Sequence, residues 1–227
     1  MKAHESAELG LREQHKLEKR QRIRAAVREL FTRHGYETAT LRQIAKRAHV
    51  GLGTLFNYAQ DKRDLVFLVF NEEMAAINDV ALKTTHAEEG LLDQLMALCR
   101  PHYESFAHNP ALSRILLKNM TFYSEGKQAA EYLRNRSRLL SGIEEMVKTA
   151  QQTRQIRSDE DATLIARHIF FVFAGAVRWW IAGRRPNPRV GLADLKRLFE
   201  LQINGLNPSP APGVRSAKRI RRAVKHR

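Results

Sequence analysis

Acidic residues are scarce in this chain: 24 Asp and Glu stand against 39 Lys and Arg, for a formal net charge of +15 and a pI near 10.4. That imbalance favours a polyanionic partner, nucleic acid before membrane. Cysteine is nearly absent. A single Cys99 excludes an internal disulfide framework and suits a reducing, cytoplasmic setting, and its apolar helical surroundings point to an inert thiol. There is no long hydrophobic run. The longest, residues 169–177, is far short of the roughly 20 residues of a membrane span, so no membrane partner is expected. The opening MKAHESAELG has acids and no apolar stretch, unlike a signal peptide. Walker loops, dinucleotide fingerprints and zinc pairs at diagnostic spacing are also missing. The expectation is therefore no enzyme, no catalytic residue, no metal and no cofactor. His102, Glu104 and His108 come nearest to a ligand set, but positions i and i+2 do not share a helix face. Strand-like alternation and internal repeats are not seen, which makes the fold all-α.

What the chain does contain is concentrated in residues 40–64, TLRQIAKRAHVGLGTLFNYAQDKRD. Leu41, Ile44, Ala45 and Ala48 recur at i, i+3, i+4 and i+7 and make one buried helical face, while Arg42, Gln43, Lys46 and Arg47 face outward. Thr40 sits where an N-cap belongs. His49, Val50 and Gly51 break the pattern. His visits positive φ more readily than most residues, and Gly51 tolerates unusual dihedrals. In the second short helix Leu55 and Tyr58 can pack back, leaving Leu52, Gly53, Thr54, Phe56 and Asn57 at its start or outer side. Asp61 caps the next helix, and Lys62 places a cation at that helix's positive end, a conflict an anion such as a phosphate would relieve. Helix, three-residue turn, helix is the helix-turn-helix, whose second helix enters the major groove.

Thr40, Ile44, Ala45, Ala48, Val50, Gly53, Thr54, Leu55, Tyr58, Lys62 and Leu65, preceded by Ile23, Ala26, Val27, Leu30, Phe31, Gly35 and Tyr36, resemble the signature of the TetR family of bacterial repressors. The resemblance covers about residues 20–65. It departs at His49, where the family usually has Gly, and at Gly51, Phe56 and Ala59, where it has Ser, Tyr and Phe. Phe56 has no hydroxyl to offer a phosphate, and Ala59 leaves less apolar volume under the second helix. The resemblance implies an N-terminal DNA-binding domain, a C-terminal helical domain for ligand binding and dimerisation, and a cavity opening towards the fourth helix.

The domain reading is a charged arm over residues 1–19, a three-helix DNA-binding domain over 20–64, a ligand-binding and dimerisation domain over 65–206, and a basic tail over 207–227. The last fourteen residues carry +7 with no acid. A solvated, disordered end is the plain reading of that tail, and auxiliary non-specific DNA binding the sharper one. Helices are expected over about 19–34, after Asp61, over 88–107 with a kink at Pro101, from Asn109 to Met120, and over 125–153, 159–182 and 191–206. In the 159–182 segment Ile165, Ile169, Val172, Ala176 and Trp180 line one side, and Leu164, His168, Phe171, Gly175 and Trp179 the adjoining one. So wide an apolar surface needs two partners. The first set, with Leu195 and Phe199 of the last helix, is assigned to a homodimer interface built as an intersubunit four-helix bundle. The alternative is that both helices complete a monomeric core.

His102, Tyr103, Phe106, Met120, Phe122, Tyr123, His168, Phe171 and Trp179 are candidates for a mostly apolar cavity with a few polar handles, against plain core packing for each taken singly. For DNA, Lys62, Thr40, Thr54 and Tyr58 are expected to anchor phosphates, with Arg42 on the same exposed face. Gln43, Leu52, Gly53, Phe56 and Asn57 are expected to approach base edges. The functional reading is a cytoplasmic, sequence-specific transcriptional regulator that is associated with the nucleoid when on DNA. It acts on double-stranded operator DNA as a homodimer and is a repressor released by a small apolar or amphipathic effector. The alternatives are an activator, an effector-independent regulator, or a non-specific nucleic-acid-binding protein.

Overall fold

The computed structural model describes residues 10–86, 89–156 and 160–206, and among these it is helical with no strand. The order is α1 (Leu11–His34), α2 (Leu41–Arg47), α3 (Leu52–Tyr58), α4 (Lys62–Lys83), α5 (Leu91–His108), α6 (Pro110–Asn119), α7 (Ala129–Gln152), α8 (Ala162–Ile181) and α9 (Pro188–Gly205). The basic tail, residues 1–9 of the charged arm, and Asp159 lie outside the described residues.

The first helix begins well before residue 19. LREQHKLEKR consists of good helix formers with no breaker after Gly10, so the helix nucleated by the packed half propagates back through residues with no apolar face to bury. It stops at Gly35, in the left-handed half of φ space at 79°, whose N–H closes on the Phe31 carbonyl at 3.1 Å. Thr40 caps α2 reciprocally with Gln43: the Gln43 N–H donates to Thr40 Oγ1 at 3.2 Å and Gln43 Oε1 accepts from the Thr40 N–H at 2.9 Å.

The turn between α2 and α3 rests on His49, at φ 53°. The Val50 N–H reaches the Ala45 carbonyl (3.0 Å) and the His49 N–H that of Lys46 (3.2 Å), the paired closure of a helix end around a left-handed residue. Gly51 has an ordinary φ of −66°, so the turn's unusual dihedral falls entirely on the histidine.

Asp61 caps α4 by accepting from the Asp64 N–H at 2.6 Å. Residue 65, where the sequence suggests a domain boundary, falls in the first turn of this helix, and Leu65 to Phe70 are buried on every side. α4 packs on α1 at one end and on α5, α6 and α7 along its length. Ion pairs fasten α1 to it: Arg20 to Glu72 (3.1 Å), Arg24 to Glu72 and Arg28 to Glu73, with Arg20 also 3.6 Å from Glu131 of α7.

The C-terminal helices stack as α7 on α8, α8 on α9 and α9 on α5. Pro101 lies inside α5 without ending it. Cys99 is buried, and burial pushes its thiol pKa well up, which leaves it an inert core residue. Gly191 of α9 permits close approach, since a Cβ there would lie 2.6 Å from ring carbons of both Tyr103 and Trp180. α9 starts earlier than expected because Asn187 caps it and Pro188 fills its first turn.

α8 is long and apolar enough by length and composition to cross a membrane, which the 169–177 run alone did not suggest. In this fold it packs against α5, α6, α7 and α9. Its inward side is not the expected one. Ile165 and Ile169 are buried in the protomer's own core with Phe173, Val177 and Ile181, as are Leu195 and Phe199 of α9. Val172, Ala176 and Trp180 are half-buried, and the Trp180 indole donates to the Asn187 carbonyl at 2.9 Å. Those seven residues therefore mainly complete the protomer. The side left open is the adjoining one, with Leu164, His168, Phe171, Gly175 and Trp179, the last 86% exposed. A helix apolar almost all round does not reveal which half its own domain will take.

Candidate nucleic-acid interface and ligand cavity

The outer face of the helix-turn-helix is formed by Arg42, Lys46, His49, Gly51, Gly53, Phe56 and Asn57, all exposed, with Leu52, Thr54 and Tyr58 half-buried at its edge. Ile44, Ala45, Ala48 and Leu55 hold it from beneath. A Cβ at Gly53 would meet nothing, so the start of α3 is open to a close approach.

Four of the expected contact residues are already engaged. Gln43 Oε1 accepts from both the backbone and the hydroxyl of Thr40, so Gln43 can present only its NH2 outward and Thr40 is tied to the cap. The Tyr58 hydroxyl donates to the Lys16 carbonyl at 3.2 Å. Lys62 Nζ donates to the Glu37 carbonyl at 2.9 Å and lies 4.6 Å from the centre of the Tyr36 ring. Within the protein the conflict of its charge with the helix dipole is met by a carbonyl and a π face.

The sequence reading also missed a neighbour. The first turns of α1 run beside α3, and a polar groove between them is lined by Arg12, His15, Lys16 and Lys19 on one side and Thr54, Asn57 and Tyr58 on the other. Arg12 and Lys19 form no ion pair among the described residues and Lys16 pairs with Glu13 at 3.6 Å, whereas Arg20, which also lines the groove, and Arg24 and Arg28 are paired with carboxylates of α4. One helix thus presents a compensated face to the protein and a mainly basic face, with Glu13 in it, next to the reading helix. Its signal in the sequence was the run of bases from residue 12 onward, which carries no apolar period.

A cavity of about 330 Å³ lies between α4, α5, α6, α7 and α8. Of the candidate residues, His102, Phe106, Met120, Phe122 and Phe171 line it. Four expected residues do not. Tyr103 is wholly buried against Trp180, with ring centroids 4.5 Å apart. Tyr123 is buried with its ring stacked 3.6 Å from that of Phe67 and its hydroxyl donating to Asp64, and burial first, then this hydrogen bond, raises its pKa. His168 and Trp179 are exposed on the outer side of α8. Walls that the sequence did not suggest come from α4 and α7, through Asn71, Met74, Asn78, Tyr132, Asn135 and Leu139, and from α6 and α8, through Leu117, Phe170, Phe173 and Val177. The exposed mouth holds Thr121, Phe122, Arg136, Phe171 and Arg178. Phe122, at φ 55° and 92% exposed, is an apolar lip rather than a core residue.

At the inner wall His102 lies with Nδ1 3.0 Å from the Leu98 carbonyl and Nε2 3.0 Å from Asn78 Oδ1. Burial disfavours the imidazolium and pulls the pKa down to about 4, against the opposing effect of the Leu98 hydrogen bond. An unfolded imidazole titrates near 6.5, so between pH 6.5 and 4 the unfolded chain binds more protons than the folded one, and stability falls as pH falls through that window. Unfolding by denaturant should show wild type losing roughly 2 kcal/mol more than His102→Gln between pH 7 and pH 5. Equal losses for the two proteins would refute a buried neutral imidazole.

Comparison with known proteins agrees with both halves of this geometry. Residues 23–69 match the bacterial regulatory proteins of the tetR family, and residues 88–188 match the tetracyclin repressor-like C-terminal domain. The fatty acid metabolism regulator protein of Bacillus subtilis (strain 168) is 24% identical over 187 residues, 82% of this chain and 93% of that one. The HTH-type transcriptional regulator HbdR of Aromatoleum sp. (strain CIB) is 33% identical over 86 residues, which span only 36% of this chain and 38% of HbdR. Among solved structures, Thermus thermophilus FadR, a TetR-family transcriptional repressor in complex with lauroyl-CoA, superposes with a TM-score of 0.63 at 23% identity, covering 86% of this chain and 98% of that one. FadR from Bacillus subtilis in complex with stearoyl-CoA gives 0.64 at 19% identity, covering 82% and 99%. With a helix-turn-helix at one end of α4 and a closed helical domain around the other, both matched by the same family, this chain belongs to the tetR family of bacterial regulatory proteins.

Proposed function

We propose that the protein is a homodimeric repressor of transcription, bound to operator DNA through α3 and released when an amphipathic, acyl-bearing molecule enters the cavity between α4 and α8. The observation that carries this reading is that one helix serves both sites: α4 begins beside the reader and supplies Asn71, Met74 and Asn78 to the cavity wall. The cavity suits such a ligand by its chemistry. Phe106, Leu117, Leu139, Phe173 and Val177 offer an acyl chain an apolar interior, and Arg136 and Arg178 offer an anionic head two cations at the mouth. The relatives whose structures hold lauroyl-CoA and stearoyl-CoA support the same choice.

DNA selected from a random pool by the full-length protein supplies the operator for the test. Added lauroyl-CoA should release it, and Arg136→Ala with Arg178→Ala should weaken lauroyl-CoA about tenfold while leaving operator affinity unchanged. Selected DNA that lauroyl-CoA cannot displace would count against the effector class, and failure to enrich any sequence would count against the reader.

On the operator, Gly53, Phe56 and Asn57 face base edges, and Arg42 with the α1 strip of Arg12 and Lys19 holds phosphates on either side of α3. Phosphate contacts release counterions. The double variant Arg12→Ala, Lys19→Ala removes two contacts from each protomer of the dimer and should therefore shallow the dependence of log affinity on log salt by about four units and weaken all sequences alike. A wild-type slope would remove the strip from the interface.

For the dimer, the open side of α8 and the outward Leu198 and Leu201 of α9 form the face offered to a second copy, with Gly175 allowing the two α8 helices to approach. Trp179→Glu and Leu201→Glu, both at positions exposed in the protomer, should give folded monomers that lose operator binding, because two readers span half-sites roughly 34 to 36 Å apart only when joined. Sedimentation as wild-type dimers would place the interface elsewhere.

A further inference from the structure

Four side-chain carboxamides run from the cavity to the reader. Asn71 and Asn78 stand seven residues apart on α4, and Gln128 and Asn135 repeat that spacing at the start of α7, so each pair lies two turns apart on one helix face. Their hydrogen bonds alternate between the two helices. Asn78 Nδ2 donates to the Asn135 carbonyl at 3.0 Å, Asn135 Nδ2 to the Asn71 carbonyl at 2.9 Å, and Asn71 Nδ2 to the Gln128 carbonyl at 3.0 Å. Gln128 Nε2 then donates to the Tyr58 carbonyl at 2.9 Å, and Tyr58 is the last residue of α3. Asn71, Asn78 and Asn135 all line the cavity.

Buried amides are costly unless they are matched, and apolar pairs would pack α4 on α7 equally well. What the amides add is register. Apolar helix contacts tolerate a small slide, whereas a ladder in which each donor reaches a backbone carbonyl of the opposite element loses several bonds together when either helix shifts. One end of the ladder lies in the cavity and the other on the reading helix.

We propose that this carboxamide ladder couples the cavity to α3: a bound molecule whose oxygen takes the amide of Asn78 or Asn135 breaks the register and loosens the Gln128 hold on Tyr58. The ladder rests on the effector reading above only for the identity of the occupant.

The test is mass-spectrometric amide exchange on the full-length protein, followed in the peptide covering residues 52–61. Without ligand or DNA, Asn135→Ala and Asn78→Ala should each speed exchange there about fivefold, although neither residue belongs to the reader, and Asn135→Ala added to Gln128→Ala should bring no further increase. Met146→Ala, at a buried position of α7 outside both the cavity lining and the ladder, should leave that peptide unchanged. Asn78 also partners His102, so if its variant does not fold, Asn71→Ala takes its place. Wild-type exchange in the ladder variants, or equal acceleration by Met146→Ala, would overturn the proposal. Lauroyl-CoA should speed exchange of the same peptide in wild type and have less effect in Asn135→Ala, and binding that leaves the peptide unchanged would also overturn the ladder. If lauroyl-CoA does not bind, the effector reading falls, and the ladder is judged by the variants alone.

Discussion

A single buried carboxylate joins the reader to the rest of the molecule. Asp64, in the first turn of α4 and 0% exposed, accepts from the N–H groups of Gln60 (2.9 Å), Lys127 (3.0 Å) and Gln128 (3.0 Å) and from the Tyr123 hydroxyl. A charge this deep is tolerable only when its lone pairs are satisfied, and here they are satisfied from two directions, the link after α3 and the loop before α7. The loop is thereby pinned to the base of α4. Gly126 shows how tightly: at φ 130°, its missing Cβ would lie 2.8 Å from Asp64 Oδ1. Arg63 adds bonds to the carbonyls of Asn119 and Thr121, so the end of α6 is held at the same point. Residues of the cavity lip, Thr121 and Phe122, therefore sit on a segment whose other end is fixed beside the reader.

Local features of the helix-turn-helix were legible because each has a local cause. The Thr40 cap, the buried Ile44, Ala45, Ala48 and Leu55, the left-handed His49 and the Asp61 cap are all set by residues within a few positions of one another. The commitments of Gln43, Tyr58 and Lys62 were harder to see. Gln43 turns back to its own cap, but Tyr58 reaches Lys16 and Lys62 reaches Glu37, partners 42 and 25 residues away. In α8 the periodicity correctly showed two apolar sides and could not rank them. The choice was made by the helices packed on α8, which bury Ile165, Ile169, Phe173 and Val177 and leave the side with Gly175 and Trp179 open.

The cavity was half legible for a different reason. Counting aromatic and histidine side chains finds apolar material but not its direction, so Tyr103 and Tyr123 entered the core and Trp179 the surface. Part of the missing wall comes from α4 and α7, where Asn71, Asn78 and Asn135 are polar side chains that a count of apolar and aromatic residues passes over. Their heptad spacing, with Gln128 before Asn135, was the available signal. Two carboxamides seven residues apart on each of two helices is a pattern with a physical meaning once the helices are known to touch.

These constraints divide α4 into two parts with different mechanical roles. Its first half, Leu65 to Phe70, is buried on every side, with ion pairs to α1 at Glu72 and Glu73 and bonds from Asp64 and Arg63 to the segment between α6 and α7. Its second half faces the cavity, where contacts are partly apolar and partly amide bonds to α7. A ligand can shift an equilibrium only by its difference in affinity between two states, and the second half of α4 is where such a difference can arise, since it touches both the cavity and the register of α7. In the proposed mechanism the first half turns a small change of register into displacement of α3. Because operator binding by the two linked readers of the proposed homodimer depends on their separation, a shift too small to alter either reader's own surface is enough to change affinity.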